Sequence, residues 1–171
     1  MVKIRNSRLV TENSEKDYRN LLALCKDLKL MYEALKHAHS GFRWVILILL
    51  IFAIFNAFTR KNVYEKKDKM IYLFTMISMH LMLVVGLVLN YISPKVQYTS
   101  GFMKDAALRF YGMEHLVGML LAIVLITIGR RKAENAIEAA DKQKKIRTFY
   151  TIGLIIVLAM IPWPFREVLG R

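Results

Sequence analysis

The chain has 171 residues, of which 56% are hydrophobic, and its 26 Lys and Arg against 13 Asp and Glu give a formal net charge of +13. This apolar content exceeds the roughly 45–50% of typical globular chains, which excludes a disordered basic tail and argues against an ordinary soluble enzyme. A single cysteine excludes an internal disulfide and any multi-cysteine zinc motif.

Residues 1–40 form a polar leader, with seven Lys and Arg in the first thirty residues and the only cysteine, Cys25. The leader lacks the apolar core and small-residue cleavage site of a secretory signal. Its partial helical periodicity predicts an amphipathic helix lying along the membrane surface. A second hypothesis is that translation naturally starts at Met31, which would leave only a short polar segment before the first apolar stretch.

Four long apolar stretches come after the leader and hold most of the hydrophobicity of the chain. A helix that crosses a bilayer needs about 17–25 mostly apolar residues, and backbone groups in hydrocarbon must be hydrogen-bonded within their own segment. We therefore predict an all-α fold, an integral membrane four-helix bundle over residues 41–168. The predicted spans are residues 41–60, 70–93, 107–130 and 147–166.

The distribution of basic residues predicts the orientation of these spans. The loop after the first span holds five Lys and Arg, and residues 130–147 after the third hold seven, whereas the loop between the second and third holds three. Loops 61–69 and 130–147 are accordingly expected on the cytoplasmic side of a bacterial inner membrane, with both termini on the other side. Because the basic residues are concentrated in these loops, no nucleic-acid partner is predicted.

Three of the predicted spans each carry one histidine: His39 opens the first, His80 lies in the second, and His115 lies in the third. Ionisable residues inside a membrane are costly and mark candidate cofactor sites. We measure depth at about 1.5 Å per residue from the end of each span that adjoins a basic loop. The depths of His80, His115 and His39 are then about 15, 22 and 31 Å. The favoured pair of ligands, for one haem iron or another metal, is therefore His80 and His115, with His39 and His115 as the other possibility.

Two charged residues accompany the histidines, Arg43 one turn from His39 and Glu114 beside His115. Arg43 could meet a haem propionate or pair with Glu114, and both belong to the predicted cofactor-binding set. Gly112, Gly118 and Ala122 give the His115 helix a stripe of small residues. That stripe could admit a flat macrocycle, or it could let two helices pack closely.

Methionines near His80 and His115 raise copper as an alternative metal, because thioether and imidazole ligands suit Cu(I). The chain has no nucleotide-binding loop, no HExxH motif and no nucleophilic Cys–His set, so no catalytic residue is predicted. Pro162 and Trp163 are expected to end the fourth helix at the membrane interface.

The motifs HAHSGFRW, MKDAALRFYGMEH, LAIVLITIGRRK and IPWPF, together with His80, resemble those of small bacterial four-helix membrane proteins labelled cytochrome b-like. The resemblance covers about residues 31–165 and leaves out the first thirty. It implies haem b as cofactor and His39, Arg43, His80, Glu114 and His115 as the functional positions.

The sequence supports three hypotheses of function. The first is a membrane haem b protein that transfers electrons, for which a quinone and a protein in a membrane complex are candidate partners. The second is a non-catalytic small subunit within a larger membrane complex or a homo-oligomer, where the same residues bind helices to one another. The third is a copper or zinc protein with an outer site formed by His39, Glu114 and His115.

Overall fold

A computed structural model describes the backbone of residues 2–163 and the side chains of residues 15–163. The predicted ends of the fourth span at residue 166 and of the bundle at residue 168, and the last two residues of IPWPF, lie outside the described residues. Every regular element in the described part is helical, and no strand occurs there. The predicted all-helical fold is confirmed.

The described chain contains four helices. Helix α1 covers Val2–Thr59, α2 covers Lys66–Ile92, and α3 covers Ala106–Glu134 and includes a π-helical segment at Phe110–Glu114. Helix α4 covers Ala139–Met160.

The helix ends have local causes. A capping box begins α2, in which the Asp68 carboxylate accepts a hydrogen bond of 2.8 Å from the Glu65 backbone N–H. Helix α4 ends two residues before Pro162, whose ring cannot continue a helix. Helices α2 and α3 therefore begin and end within about four residues of the predicted spans, whereas α1 and α4 begin at Val2 and Ala139, well before their apolar runs.

Three helical segments are long and apolar enough to cross a membrane: Glu15–Thr59, Lys66–Ile92 and Ala106–Glu134. Residues 147–160 of the fourth predicted span also lie in a helix, but the first nine residues of α4 hold five charged side chains. The apolar part of α4 within the described residues is therefore shorter than in the other three.

Neighbouring helices run antiparallel, and side-chain contacts fix their register. On α1 and α2, Asn56 donates to Tyr72 at 2.9 Å, and Thr75 lies 3.4 Å from the Leu49 carbonyl. On α3 and α4, Gly129 packs against Phe149 and Gly118 against Met160. The apolar core between the helices includes Leu50, Ala53, Tyr72, Ala122, Ile126, Ile146, Tyr150 and Val157.

The chain divides into two compact units, residues 1–37 and residues 38–171. The described side chains of the first unit are mostly exposed, and ion pairs within the helix join Glu15 to Arg19 and Glu33 to Lys36, each at 2.5 Å. The predicted leader boundary at residue 40 stays a prediction. All the residues of the candidate site lie in the second unit.

Candidate functional site

The imidazoles of His39 on α1 and His115 on α3 are in direct contact. Their ring centroids are 6.3 Å apart, and the ring planes are inclined by 65°. A Cβ atom at Gly86 of α2 would lie 3.4 Å from Cε1 of His39, and the Met160 carbonyl of α4 lies 2.7 Å from Nδ1 of His115. All four helices therefore meet at this pair, which we call the histidine site.

Helix lengths explain why these two histidines lie at the same height. His39 lies 20 residues before the end of α1 at Thr59, and His115 lies 19 residues before the end of α3 at Glu134. At about 1.5 Å per residue, they are about 30 and 28 Å from the basic ends of their helices. The offset of about 9 Å expected from the sequence falls to about 2 Å, mainly because α3 continues four residues, about 6 Å, beyond Arg130.

A π-helical segment, Phe110–Glu114, immediately precedes His115. The His115 backbone N–H bonds to the Phe110 carbonyl five residues earlier, so the turn holds one residue more than an α-helical turn and rotates the rest of α3 about the helix axis. The buried Phe110 ring also packs on the His115 ring, with centroids 5.9 Å apart. Single π-turns inside α-helices occur frequently at functional sites. No pattern in the sequence indicated this segment.

Hydrogen bonds to backbone carbonyls determine which ring nitrogen carries the hydrogen in two histidines. A carbonyl oxygen only accepts, so Nδ1 of His115 donates to the Met160 carbonyl, and Nδ1 of His80 donates to the Met76 carbonyl at 2.8 Å. In each neutral ring the lone pair is then on Nε2. Histidines that bind metals use this arrangement, with one ring N–H held by a carbonyl and the other nitrogen on the metal.

His39 differs from the other two histidines. Its Nδ1 is buried and forms no hydrogen bond with any described residue. Buried polar atoms nearly always have a partner, and one without a partner indicates an unmet interaction. Of the two rings in the histidine site, His39 is therefore the one that lacks a hydrogen bond among the described residues.

His80 lies nearer than His39 and His115 to the end of the bundle that carries the two basic loops. It is 14 residues from the start of α2, a rise of about 21 Å against about 28 and 30 Å for His115 and His39. It also lies six residues before Gly86, which places it about 120° around α2 from the face that meets His39. The structure thus brings together His39 and His115, the second of the two predicted pairs, and gives His80 a hydrogen bond within its own helix.

The two charged candidates do not pair with each other in the structure. Glu114 forms its ion pair with Arg109, at 2.6 Å, and both side chains are exposed. The Arg43 guanidinium lies over the Trp44 ring at 5.2 Å, and its buried Nε has no hydrogen bond with the described residues. Arg43, one turn from His39, therefore has no carboxylate partner among the described residues.

The stripe of small residues near His115 packs helices together. A Cβ atom at Gly118 would collide with the Met160 side chain, and one at Gly153 of α4 would meet Ile126 at 2.8 Å and the Ala122 carbonyl at 3.6 Å. Tyr98 covers Gly112, with its hydroxyl donating to the Gly112 carbonyl at 3.0 Å. Of the two interpretations of this stripe, close helix packing is the one that the structure shows.

Within residues 15–163, no group of three or more His, Cys, Asp and Glu side chains could hold a metal ion. A zinc site needs about four protein or water ligands, whereas a haem brings four nitrogens and needs only two axial ligands from the chain. The histidine pair matches the second requirement. In the alternative outer copper or zinc site of His39, Glu114 and His115, the Glu114 carboxylate already forms an ion pair with Arg109.

A second polar cluster lies at the opposite end, where the loops between α1 and α2 and between α3 and α4 meet; we call this the basic end. Tyr72 accepts from Asn56 and donates to Gln143 at 2.6 Å, and Asn56 also donates to Asp68 at 2.7 Å. Gln143 donates in turn to the Val63 carbonyl at 2.6 Å. The sequence predicts an interior whose polar residues are confined to the histidines, Arg43 and Glu114, and this is wrong: Asn56, Asp68, Thr75 and Gln143 are buried.

Ion pairs extend this cluster toward the surface. Glu134 at the end of α3 accepts from the Tyr64 hydroxyl at 2.7 Å and pairs with Lys69 at 3.0 Å. Burial and the hydrogen bond to Glu134 both raise the pKa of Tyr64 above its usual value. Arg60 pairs with the buried Asp68 at 2.9 Å. The contacts join the helices and involve no open ligand position.

The two clusters therefore differ in kind. At the basic end most buried polar groups bond to one another, which is the arrangement of a structural network. Arg60 and Arg130, whose buried Nε atoms lack a hydrogen bond among the described residues, still form ion pairs with Asp68 and Glu134. At the histidine site, His39 Nδ1 and Arg43 Nε are buried without partners among the described residues. Comparison of the chain with protein-family models, curated proteins and solved structures finds no match in any of the three.

Proposed function

We propose that this chain is a four-span protein of the bacterial inner membrane that binds haem b between His39 and His115 and transfers electrons. The observation that carries the proposal is the ring pair itself, two imidazoles 6.3 Å apart at the height where all four helices meet. The proposal retains His115 from the preferred sequence-based pair and takes His39 in place of His80 as the second ligand. The loops at the basic end are proposed to face the cytoplasm.

The ring separation suits two ligands of one metal ion. Imidazole nitrogens bind transition metals at about 2.0–2.1 Å, so two rings on opposite sides of one ion have centroids about 6 Å apart. His115 is already held by the Met160 carbonyl in the tautomer that leaves Nε2 free. His39 has a buried ring nitrogen with an unmet hydrogen bond.

The donor set favours haem over zinc or copper as the group bound. Within residues 15–163, two imidazoles converge at the site without a third ligand, and the nearby carboxylate Glu114 is paired with Arg109. A haem bound there would supply one-electron exchange, and two histidine ligands would leave no open iron position for oxygen chemistry. Arg43, whose Nε is buried without a partner in the described chain, is the residue that would hold a haem carboxylate.

The chain contributes position and environment to this function. Helix α3 sets the His115 ring through its π-turn and the Met160 hydrogen bond, and Gly86 lets α2 approach the His39 ring. The Phe110 ring, which packs on His115, would help to exclude water from that side of the pair. A quinone or a partner protein in the membrane would exchange electrons with the site.

The visible spectrum of the protein purified in detergent, before and after reduction with dithionite, tests the proposal. We expect sharp reduced α and Soret bands and close to one haem per chain. A colourless preparation that also lacks metal by elemental analysis would contradict it and favour the non-catalytic subunit. A colourless preparation with stoichiometric copper or zinc would contradict it in favour of the metal-binding alternative.

A further inference from the structure

An open cleft of about 630 Å³ lies between α1 and α2, away from the histidine site. Its walls are apolar side chains of both helices, and two lysines at the start of α2 complete it. The lining residues are Leu49, Phe52, Lys66, Lys67, Met70, Ile71 and Phe74.

The cleft extends inward from the basic end. From Lys66 to Phe74 the rise along α2 is about 12 Å, and Leu49 lies about 15 Å from the end of α1 at Thr59. The cleft therefore has a basic mouth at the membrane interface and an apolar floor inside the hydrocarbon region of the proposed span. Such a shape matches a molecule with an anionic head and an apolar tail.

The two lysines at the mouth have no ion-pair partner within residues 15–163, in contrast to Arg60 and Lys69. Arg60 pairs with Glu65 and Asp68, and Lys69 pairs with Glu134. Lys66 and Lys67 also occupy the first turn of α2, where the helix dipole disfavours positive charge. Their stems line the cleft, and long basic side chains at an interface extend their charged ends toward water. Both charges are therefore free to meet an anion.

We propose that this cleft binds an anionic phospholipid, with one acyl chain along the apolar wall and the phosphate at Lys66 and Lys67. An extended peptide segment would bring backbone N–H and C=O groups that the apolar lining could not satisfy in hydrocarbon. An acyl chain has no such groups, and basic pockets at the cytoplasmic ends of membrane helices bind anionic headgroups. The inference depends on the membrane placement in the proposed function but does not depend on haem.

Native mass spectrometry of the purified full chain, with equal amounts of phosphatidylglycerol and phosphatidylcholine, tests this site. We expect one phosphatidylglycerol retained in preference to phosphatidylcholine. The double variant Lys66→Gln, Lys67→Gln should weaken phosphatidylglycerol binding about 30-fold, from the attraction of two lysines near the membrane surface, and leave phosphatidylcholine unchanged. Met70→Trp, which narrows the cleft without changing charge, should weaken binding of both lipids.

A matched control removes two charges from the same end outside the cleft, Lys61→Gln with Lys144→Gln, and should leave the preference intact. An equal loss in this control would overturn the proposal, because it would show general attraction to the basic end. Unchanged binding in Met70→Trp, or displacement of the lipid by inorganic phosphate, would also overturn it. Since the reduced absorption spectrum reports the haem separately, failure of one proposal is distinguishable from failure of the other.

Discussion

The absence of a side chain at Gly86 leaves room for the His39 ring. A Cβ atom there would be in ordinary van der Waals contact with Cε1 of His39, at 3.4 Å, so one methyl group fits and a larger side chain does not. Gly86→Leu should therefore displace the His39 ring, and we expect it to lose most of the bound haem, measured by the ratio of Soret to protein absorbance.

Gly86→Ala is the matched control and should retain the haem. Both substitutions replace glycine inside a helix, so neither should lower the thermal midpoint through helix propensity. Retention of the full haem content in Gly86→Leu would contradict the placement of His39 as a ligand.

The Tyr72 hydroxyl is the central member of the polar network at the basic end. It is fully buried, accepts from Asn56 and donates to Gln143. Tyr72→Phe leaves both partners short of a hydrogen bond, which should lower the free energy of unfolding by about 1–2 kcal/mol. Thermal unfolding in detergent, followed by circular dichroism, measures this change.

Tyr91→Phe provides the comparison, because the Tyr91 side chain is 92% exposed. It should leave the thermal midpoint unchanged. An equal, near-zero effect of both substitutions would contradict the role of Tyr72 as a buried link between α1, α2 and α4.

At the scale of elements, the contact between α3 and α4 depends on glycine. A Cβ atom at Gly129 would collide with Cβ and Cγ of Phe149, which are fixed close to the α4 backbone and cannot move aside. Gly129→Ala should force the helices apart and lower the free energy of unfolding by about 1–3 kcal/mol. Thermal unfolding in detergent measures the loss.

Gly118→Ala should cost less, because the atoms it would meet belong to the flexible Met160 side chain. Gly41→Ala, with nothing within 4 Å of the added atom, is the neutral control. A Gly41→Ala variant as unstable as Gly129→Ala would indicate that helix packing is not the cause.

Apolar length was sufficient to predict α2 and α3, but not where α1 and α4 begin. Predicted spans 70–93 and 107–130 lie within a few residues of Lys66–Ile92 and Ala106–Glu134. The extra turns at the basic ends were missed because they consist of charged residues such as Lys66 and Glu134, which extend a helix into water without an apolar pattern. These turns changed the heights of the histidines and hence which two meet.

The polar network was missed for a different reason. Asn56, Asp68 and Gln143 lie in separate parts of the sequence and come together only when α1, α2 and α4 pack. The lone Asn56 in an otherwise apolar run was the one available signal. The π-turn before His115 left no signal, since its residues are compatible with an ordinary α-helix.

At the scale of the whole molecule, the two basic loops meet at one end. The Gln143 side chain of α4 reaches the Val63 carbonyl in the loop after α1, and Lys69 of α2 pairs with Glu134 of α3. In a chain whose Cys25 is replaced by serine, Lys61→Cys and Asp141→Cys should react with an impermeant thiol reagent only from the cytoplasmic side. Ser100→Cys, in the loop between α2 and α3, should react only from the opposite side.

Intact spheroplasts and inverted vesicles provide the two sides for this experiment. Labelling of residues 61 and 141 from opposite sides would contradict the shared end of the two loops. Labelling of all three positions from one side would contradict a span formed by α2.

The central claim is that His39 and His115 are the two histidines that hold the cofactor. Haem content and the reduced α band of His39→Ala, His115→Ala and His80→Ala, purified in parallel, test it most directly. We expect loss of the bands in the first two variants and their retention in the third, because His80 lies about 7–9 Å nearer the basic end. Full haem binding in His39→Ala, together with its loss in His80→Ala, would contradict it.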